Sequence, residues 1–153
     1  MTQIELARAY LHLAEDRLHA LEVFRERKSY ANLRRESQEI VELILKAALR
    51  SLGVDPPRVH EVGRLLAREI EALPETVRAE AGILITASRE LRKDREMSFY
   101  GEIDALPTET FSAAEGEEAY RWSALAVSWL KRLLDSREDR RAQGDERLGG
   151  GHG

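Results

Sequence analysis

From Leu33 to Leu52 the apolar residues return every three or four positions. They are Leu33, Ile40, Val41, Ile44, Leu45, Ala48, Leu49 and Leu52, with Ser37 as the one polar residue set into the stripe. This spacing gives a helix one face for a core and one for water. A strand would alternate instead. No run in the chain alternates cleanly, and few are rich in β-branched residues. The helical period recurs in four other segments. Residues 2–28 carry Leu6, Tyr10, Leu13, Leu18, Leu21 and Phe24, widened by Ala7, Leu11 and Ala14. Residues 59–72 carry Val62, Leu65, Leu66 and Ile70, and residues 75–94 carry Val77, Ala81, Leu84, Ile85 and Leu91. From Ser112 onward come Tyr120, Ala124, Val127, Leu130 and Leu134. The fold class expected is all-α, an up-down bundle of about five helices.

Punctuation between these segments supports the division. Gly53 directly follows the stripe, where a left-handed cap residue is needed, and Asp55-Pro56-Pro57 bars an immediate restart. Pro74 suits the first turn of the next helix. Residues 98–111 lose the period, contain Gly101 and Pro107, and read as a loop. Ser112 and Glu115 have the spacing of a capping box. Residues 1–136 are expected to form one bundle. Residues 137–153, nearly free of apolar side chains and ending Gly-Gly-Gly-His-Gly, are expected to form a flexible polar tail.

Composition excludes several function classes. The chain has no cysteine, so disulfides, thiol catalysis and cysteine-ligated zinc are ruled out. There are 24 basic and 28 acidic residues, a net charge of −4. No global basic field exists, and any anion binding has to be local. No stretch is apolar enough to span a membrane, and the first residues contain no apolar signal core; a cytoplasmic protein is expected. Twenty arginines stand against four lysines, and Asn plus Gln total four. Those biases lean towards a thermophilic source, although a GC-rich genome also raises arginine.

Nucleotide loops of the GxxxxGK[ST] or GxGxxG kind are absent, as are HExxH and GxSxG. His12 and His19 are seven apart, whereas a helical metal pair wants three or four. No metal and no cofactor is implied. The cations Arg89, Arg92, Lys93 and Arg95 crowd the end of the fourth helix, where they complement the helix dipole. With Tyr100 they also suit a phosphate, since arginine offers a planar fork and tyrosine a stacking face. His60, at the first turn of the third helix, either pins a turn or faces a ligand. Arg34, Arg35 and Lys46 are balanced by Glu36, Glu39 and Glu42, which reads as a solvated face. Ser37 marks either a helix crossing or an interface. Trp122 and Trp129 fit either the core or a dimer contact.

Residues 35–66, RESQEIVELILKAALRSLGVDPPRVHEVGRLL, resemble the HEPN domain (higher eukaryotes and prokaryotes nucleotide-binding). The resemblance lies in an amphipathic helix with Ser37 and Lys46, then Gly53-Val54-Asp55-Pro56-Pro57, then His60 ahead of a leucine pair. ARAYLHLAEDRLHAL is similar to that family's first helix. Arg92 to Gly101, followed by EEAYRWSALAVSWL, is similar to its C-terminal half, so the likeness covers about residues 3–135. It implies a compact helical bundle, usually a homodimer, that binds nucleotides or RNA. It also implies a separate minimal nucleotidyltransferase as partner, often in a toxin–antitoxin pair, or a likeness to the substrate-binding subunit of nucleotidyltransferases. The ligand-binding residues this reading selects are Arg92, Arg95, Tyr100, His60 and Lys46. The family's ribonucleases carry Arg, four to six residues, then His. Counting from Arg92 reaches Met97, Ser98 and Phe99, and from Arg95 Tyr100, Gly101 and Glu102. With no histidine there, no catalytic residue is assigned. A tyrosine, with a reference pKa of about 10, is a poor proton shuttle near neutrality. A divergent ribonuclease using Arg95 and Tyr100, and a purely structural dimer or antitoxin-like cap, remain as alternatives.

Overall fold

The computed structural model describes the backbone of residues 1–56, 61–100 and 111–149, and the side chains of 1–56, 61–94 and 111–144. The helices are α1 (Gln3–Glu26), α2 (Tyr30–Ser51), α3 (Val62–Arg68), α4 (Glu75–Tyr100) and α5 (Ala113–Gly149), with a 3-10 turn at Ile70–Ala72. No strand occurs among the described residues.

The helix ends follow from local chemistry. Thr2 opens α1 with a capping box: its Oγ1 accepts from the Glu5 N–H at 3.1 Å, and its own N–H donates to Glu5 Oε2 at 2.9 Å. Ser112 and Glu115 do the same for α5, as their spacing predicts. At the end of α2, Gly53 takes a φ of +78°. The Gly53 N–H donates to the Arg50 carbonyl and the Val54 N–H to the Leu49 carbonyl, both at 3.0 Å. That pair of bonds satisfies two carbonyls that α2 would otherwise leave open. The same closure ends α1, with Ser29 donating to Phe24 and Lys28 to Arg25. Here the left-handed position is held by Lys28, at φ 55°.

Two helices outrun their expected ends. The α4 helix continues through Tyr100, where a loop from residue 98 was expected; no breaker precedes Gly101. The α5 helix passes position 136 and runs to Gly149. Loss of apolar residues there removes a packing face but supplies no stop, because Arg, Glu, Ala and Gln are good helix formers.

Ion pairs report how the rods lie. Arg8 reaches Asp135 and Glu138 of α5, and Arg25 reaches Glu117. Ascending α1 therefore means descending α5, and the two are antiparallel along most of α1. Tyr30 lies against Gly116 and Arg34 against Glu118, so α2 and α5 run parallel. The α4 helix opposes α5, with Val77 at Trp129 and Glu80 at Arg132. The up-down order expected from the sequence holds.

The core gathers α1, α2, α4 and α5 around Leu33, Ile40, Ile44, Leu45, Leu84, Leu91, Trp129 and Leu130. On α5 the buried positions Gly116, Ala119, Ser123 and Ala126 are spaced three and four apart, a small ridge that lets α2 approach closely. Ser37 of α2 is likewise fully buried. Its place in the stripe marks a helix packed inside the fold. Trp129 is fully buried, and its indole N–H donates to the Val77 carbonyl at 2.8 Å, so it belongs to the core rather than to a dimer contact. Leu13, placed in the apolar face of α1 by its spacing, is 51% exposed; the buried stripe of that helix is narrower, through Ala7, Leu11, Ala14 and Leu21.

Two substitutions test these points by urea unfolding. Lys28→Gly is expected to raise stability by roughly 1 kcal/mol, because glycine adopts the left-handed region without the Cβ penalty. A Cβ added at Gly116 would stand 2.5 Å from Tyr30 Cδ1. Gly116→Ala is therefore expected to cost about 1–3 kcal/mol by overpacking, against the usual gain for Gly→Ala in a helix.

Candidate functional site

Among the described residues the most enclosed charged group is one that the sequence places on a solvated face. Arg34 is only 5% exposed. Its Nε donates to Asp94 Oδ2 at 2.7 Å, and its Nη2 lies 2.5 Å from the same oxygen. Nη1 donates to the Glu115 carbonyl at 3.1 Å and to Glu118 Oε1 at 3.3 Å. The guanidinium carbon sits 5.6 Å from the ring centroids of both Phe111 and Trp122, within cation–π reach. One side chain on α2 thus grips α4, the start of α5 and the residue leading into it. A register signal for this exists in the sequence. Arg34 lies three residues before Ser37 and seven before Val41, on the line that continues the buried stripe.

Electrostatics at this node are opposed. Burial pushes the Asp94 carboxyl above its ordinary value of 3.8, and the hydrogen bond and charge of Arg34 pull it back only in part. The desolvation is thus not fully repaid by the pairing, as is common for buried ion pairs. What the pair supplies is a defined arrangement. Glu115 moves the other way. Hydrogen bonds from the Ser112 N–H and hydroxyl hold it below its ordinary 4.5.

The residues selected from the sequence fall in different places. Arg92 is half-buried on α4, two positions before Asp94. Neither it nor Arg89 has a carboxylate partner among the described residues, whereas Lys93 pairs with Glu90 at 3.3 Å. Lys46 lies on α2 and pairs with Glu42 at 3.4 Å. It stands twelve residues beyond Arg34, about 18 Å along the axis at 1.5 Å per residue, so it is not brought to the level of Arg92. Backbone at Arg95 and Tyr100 is helical. Their side chains lie outside the described residues, as does the whole of His60. Gly63 of α3 packs against Ile85 and Ser88, one turn before Arg92.

Elsewhere the charges hold helices together. Arg132 spans to both oxygens of Glu80, which keeps that carboxylate below its ordinary value. Tyr120 donates to Glu22, and Arg25 lies 4.4 Å over the Tyr120 ring. His12 faces Asp16 at 3.9 Å on an exposed turn. No group of three metal-ligating side chains occurs among the described residues, and no helix there is long and apolar enough to cross a membrane.

Two measurements check this electrostatic reading. Arg34→Ala, which leaves the partly buried Asp94 unpaired and removes a buried guanidinium that three helices pack around, is expected to cost about 2 kcal/mol at neutral pH. Ser112→Ala is expected to cost about 1 kcal/mol at neutral pH through the lost cap. A depressed carboxylate contributes stability that is present above its unfolded value and lost as pH falls through the folded one. The Ser112→Ala deficit should therefore shrink below the ordinary Glu115 value of 4.5. Urea midpoints at neutral pH and at successively lower pH would show it.

Comparison with known proteins fits the all-helical fold. The HEPN domain family matches residues 7–133. No curated protein and no solved structure matches the chain. The match takes in all five helices apart from the start of α1 and the far end of α5, and the chain belongs to the HEPN domain family.

Proposed function

We propose that this chain is a dimeric nucleotide- or nucleic-acid-binding module whose anion-contacting surface is the C-terminal part of α4. HEPN domains are associated with nucleotides and RNA. Within this one, the observation that carries the reading is Arg92, half-buried and without a carboxylate partner among the described residues. In a chain where Arg8, Arg25, Arg34 and Arg132 are each held by carboxylates, such a guanidinium is available to an outside anion. Arg95 and Tyr100 follow on the same helix, and His60 precedes α3, which packs beside it. They complete the proposed surface with a second fork, a stacking ring and a donor.

Lys46 is paired with Glu42, and a ligand that exchanged that partner for a phosphate as well as reaching Arg92 would have to be extended. At about 18 Å along the bundle from the Arg34 level it is out of reach of a mononucleotide held at Arg92, but within reach of a strand of RNA. Phosphate contacts of this kind position a strand without reading its bases.

Chemistry is assigned to a partner. No histidine follows Arg92 or Arg95 at the family's ribonuclease spacing. The one Arg-x4-His spacing in the chain, Arg147 to His152, lies beyond the residues matched by the family. A separate minimal nucleotidyltransferase, in a toxin–antitoxin-type pair, is the partner proposed.

Calorimetry with ATP and with a short single-stranded RNA tests the proposal. RNA is expected to bind more tightly than ATP and to weaken as salt rises. Arg92→Ala is expected to weaken RNA binding about fivefold and to lower the salt slope by about one phosphate contact. No heat with either ligand, with or without a nucleotidyltransferase present, would overturn the reading. Light scattering that reports a monomer at micromolar concentration would remove the dimer.

A further inference from the structure

We infer that Asp94 is a positioning residue for the anion-contacting end of α4, acting through Arg34. The inference rests on the proposed role of that end and adds what holds it in place. Leu91 is the last apolar side chain that α4 buries among the described residues. Beyond it, the grip of Arg34 on Asp94 is the last described attachment of α4 to the bundle.

Arg34 is well suited to act as a fixed anchor. It has almost no exposed surface, and it is held from other directions by the Glu115 carbonyl, Glu118, Phe111 and Trp122. A planar fork held on several sides leaves its partner little freedom. At about 100° per residue, turning Asp94 inward carries Arg92 and Lys93 to other sides of the helix. Any rotation or fraying of these turns would move Arg92 with them.

A simple electrostatic view makes the opposite forecast, which renders the inference sharp. Asp94 is a negative charge two residues from Arg92. Removing it without a positioning effect should strengthen the attraction for a polyanion. If Asp94 positions the helix, removing it should weaken binding.

The full-length chain, titrated with a fluorescent single-stranded RNA and read by anisotropy, decides between them. Asp94→Asn is expected to weaken binding about fivefold, a change of the size one positioned cation supplies. Asp94→Glu, which keeps the charge for Arg34, should restore part of the loss. Asp94→Asn combined with Arg92→Ala should be little worse than Arg92→Ala alone, because both remove the same contact. Hydrogen exchange should quicken in the last turns of α4 and stay unchanged in α1. If Asp94→Asn fails to fold, Arg34→Lys, which keeps the charge and loses the fork, carries the same comparison.

Binding by Asp94→Asn as tight as wild type or tighter, or losses that simply add in the double variant, would overturn the inference and leave the proposed function standing. Failure of the wild-type chain to bind RNA or ATP would remove both.

Discussion

A guanidinium enclosed among three helices has to be satisfied on every side, and that requirement organises this bundle. Arg34 cannot shed its charge, and at 5% exposure it cannot rely on water. It needs Asp94 from α4, the carbonyl of Glu115 in the first turn of α5 as an acceptor, and Glu118 one turn later. The parallel approach of α2 and α5 is thereby matched to the antiparallel approach of α4. A slip of any of the three along its axis would leave a buried charge unpaired. Apolar packing alone does not forbid such slips so strongly, because helical stripes of leucine and alanine tolerate several registers.

The outer ion pairs have a different character. Arg8 with Asp135 and Glu138, Arg25 with Glu117, and Arg132 with Glu80 are all partly exposed. Each contributes little to stability in water. Their use lies in spacing. Arg8 and Arg25 are 17 residues apart on α1, and Glu117 and Asp135 are 18 apart on α5. Two pairs at nearly equal separation measure the same length on both rods, so only one antiparallel alignment satisfies both. Gly116, against which Tyr30 packs, then sets how close α2 can come at that level.

Much of this was legible from spacing alone. The helices, the Gly53 cap and the Ser112 capping box depend on residues within a few positions of one another, and such chemistry is written locally. Helix ends without a breaker were not legible: nothing in Met97–Tyr100 announces a stop, and the loss of apolar period from residue 98 or beyond Ser136 removes a packing face without ending a helix. Arg34 was hidden for another reason. It sits beside Arg35 among glutamates, and whether a charge in such a helix is solvated or enclosed depends on partners 60 and 84 residues away, Asp94 and Glu118. The buried stripe did point to it through Ser37 and Val41, a register clue that its charge obscured. In the candidate site, the cations of α4 were visible as a cluster. That Lys46 lies far along the bundle from them follows only from the pairing of α2 with α4.

The proposed contact with a polyanion requires a chain of net charge −4 to have its carboxylates engaged where the contact occurs. The α4 helix shows how this is done with adjacent residues. Glu80 is committed to Arg132, Glu90 to Lys93 and Asp94 to Arg34. The pairings of Glu90 and Asp94 cancel negative charges two residues either side of Arg92, and all three tie or stiffen the helix that carries them. Among the described residues of this part of α4, Arg89 and Arg92 have no carboxylate partner, and the proposed phosphate contact rests on that local balance and not on the sum over the sequence. Screening confines the field of charges to about 10 Å at moderate salt, so distant carboxylates on α1 and the end of α5 hardly oppose it. In the proposed function, the same internal pairing that ties the helices together is what lets an acidic protein offer Arg89 and Arg92 to an anion.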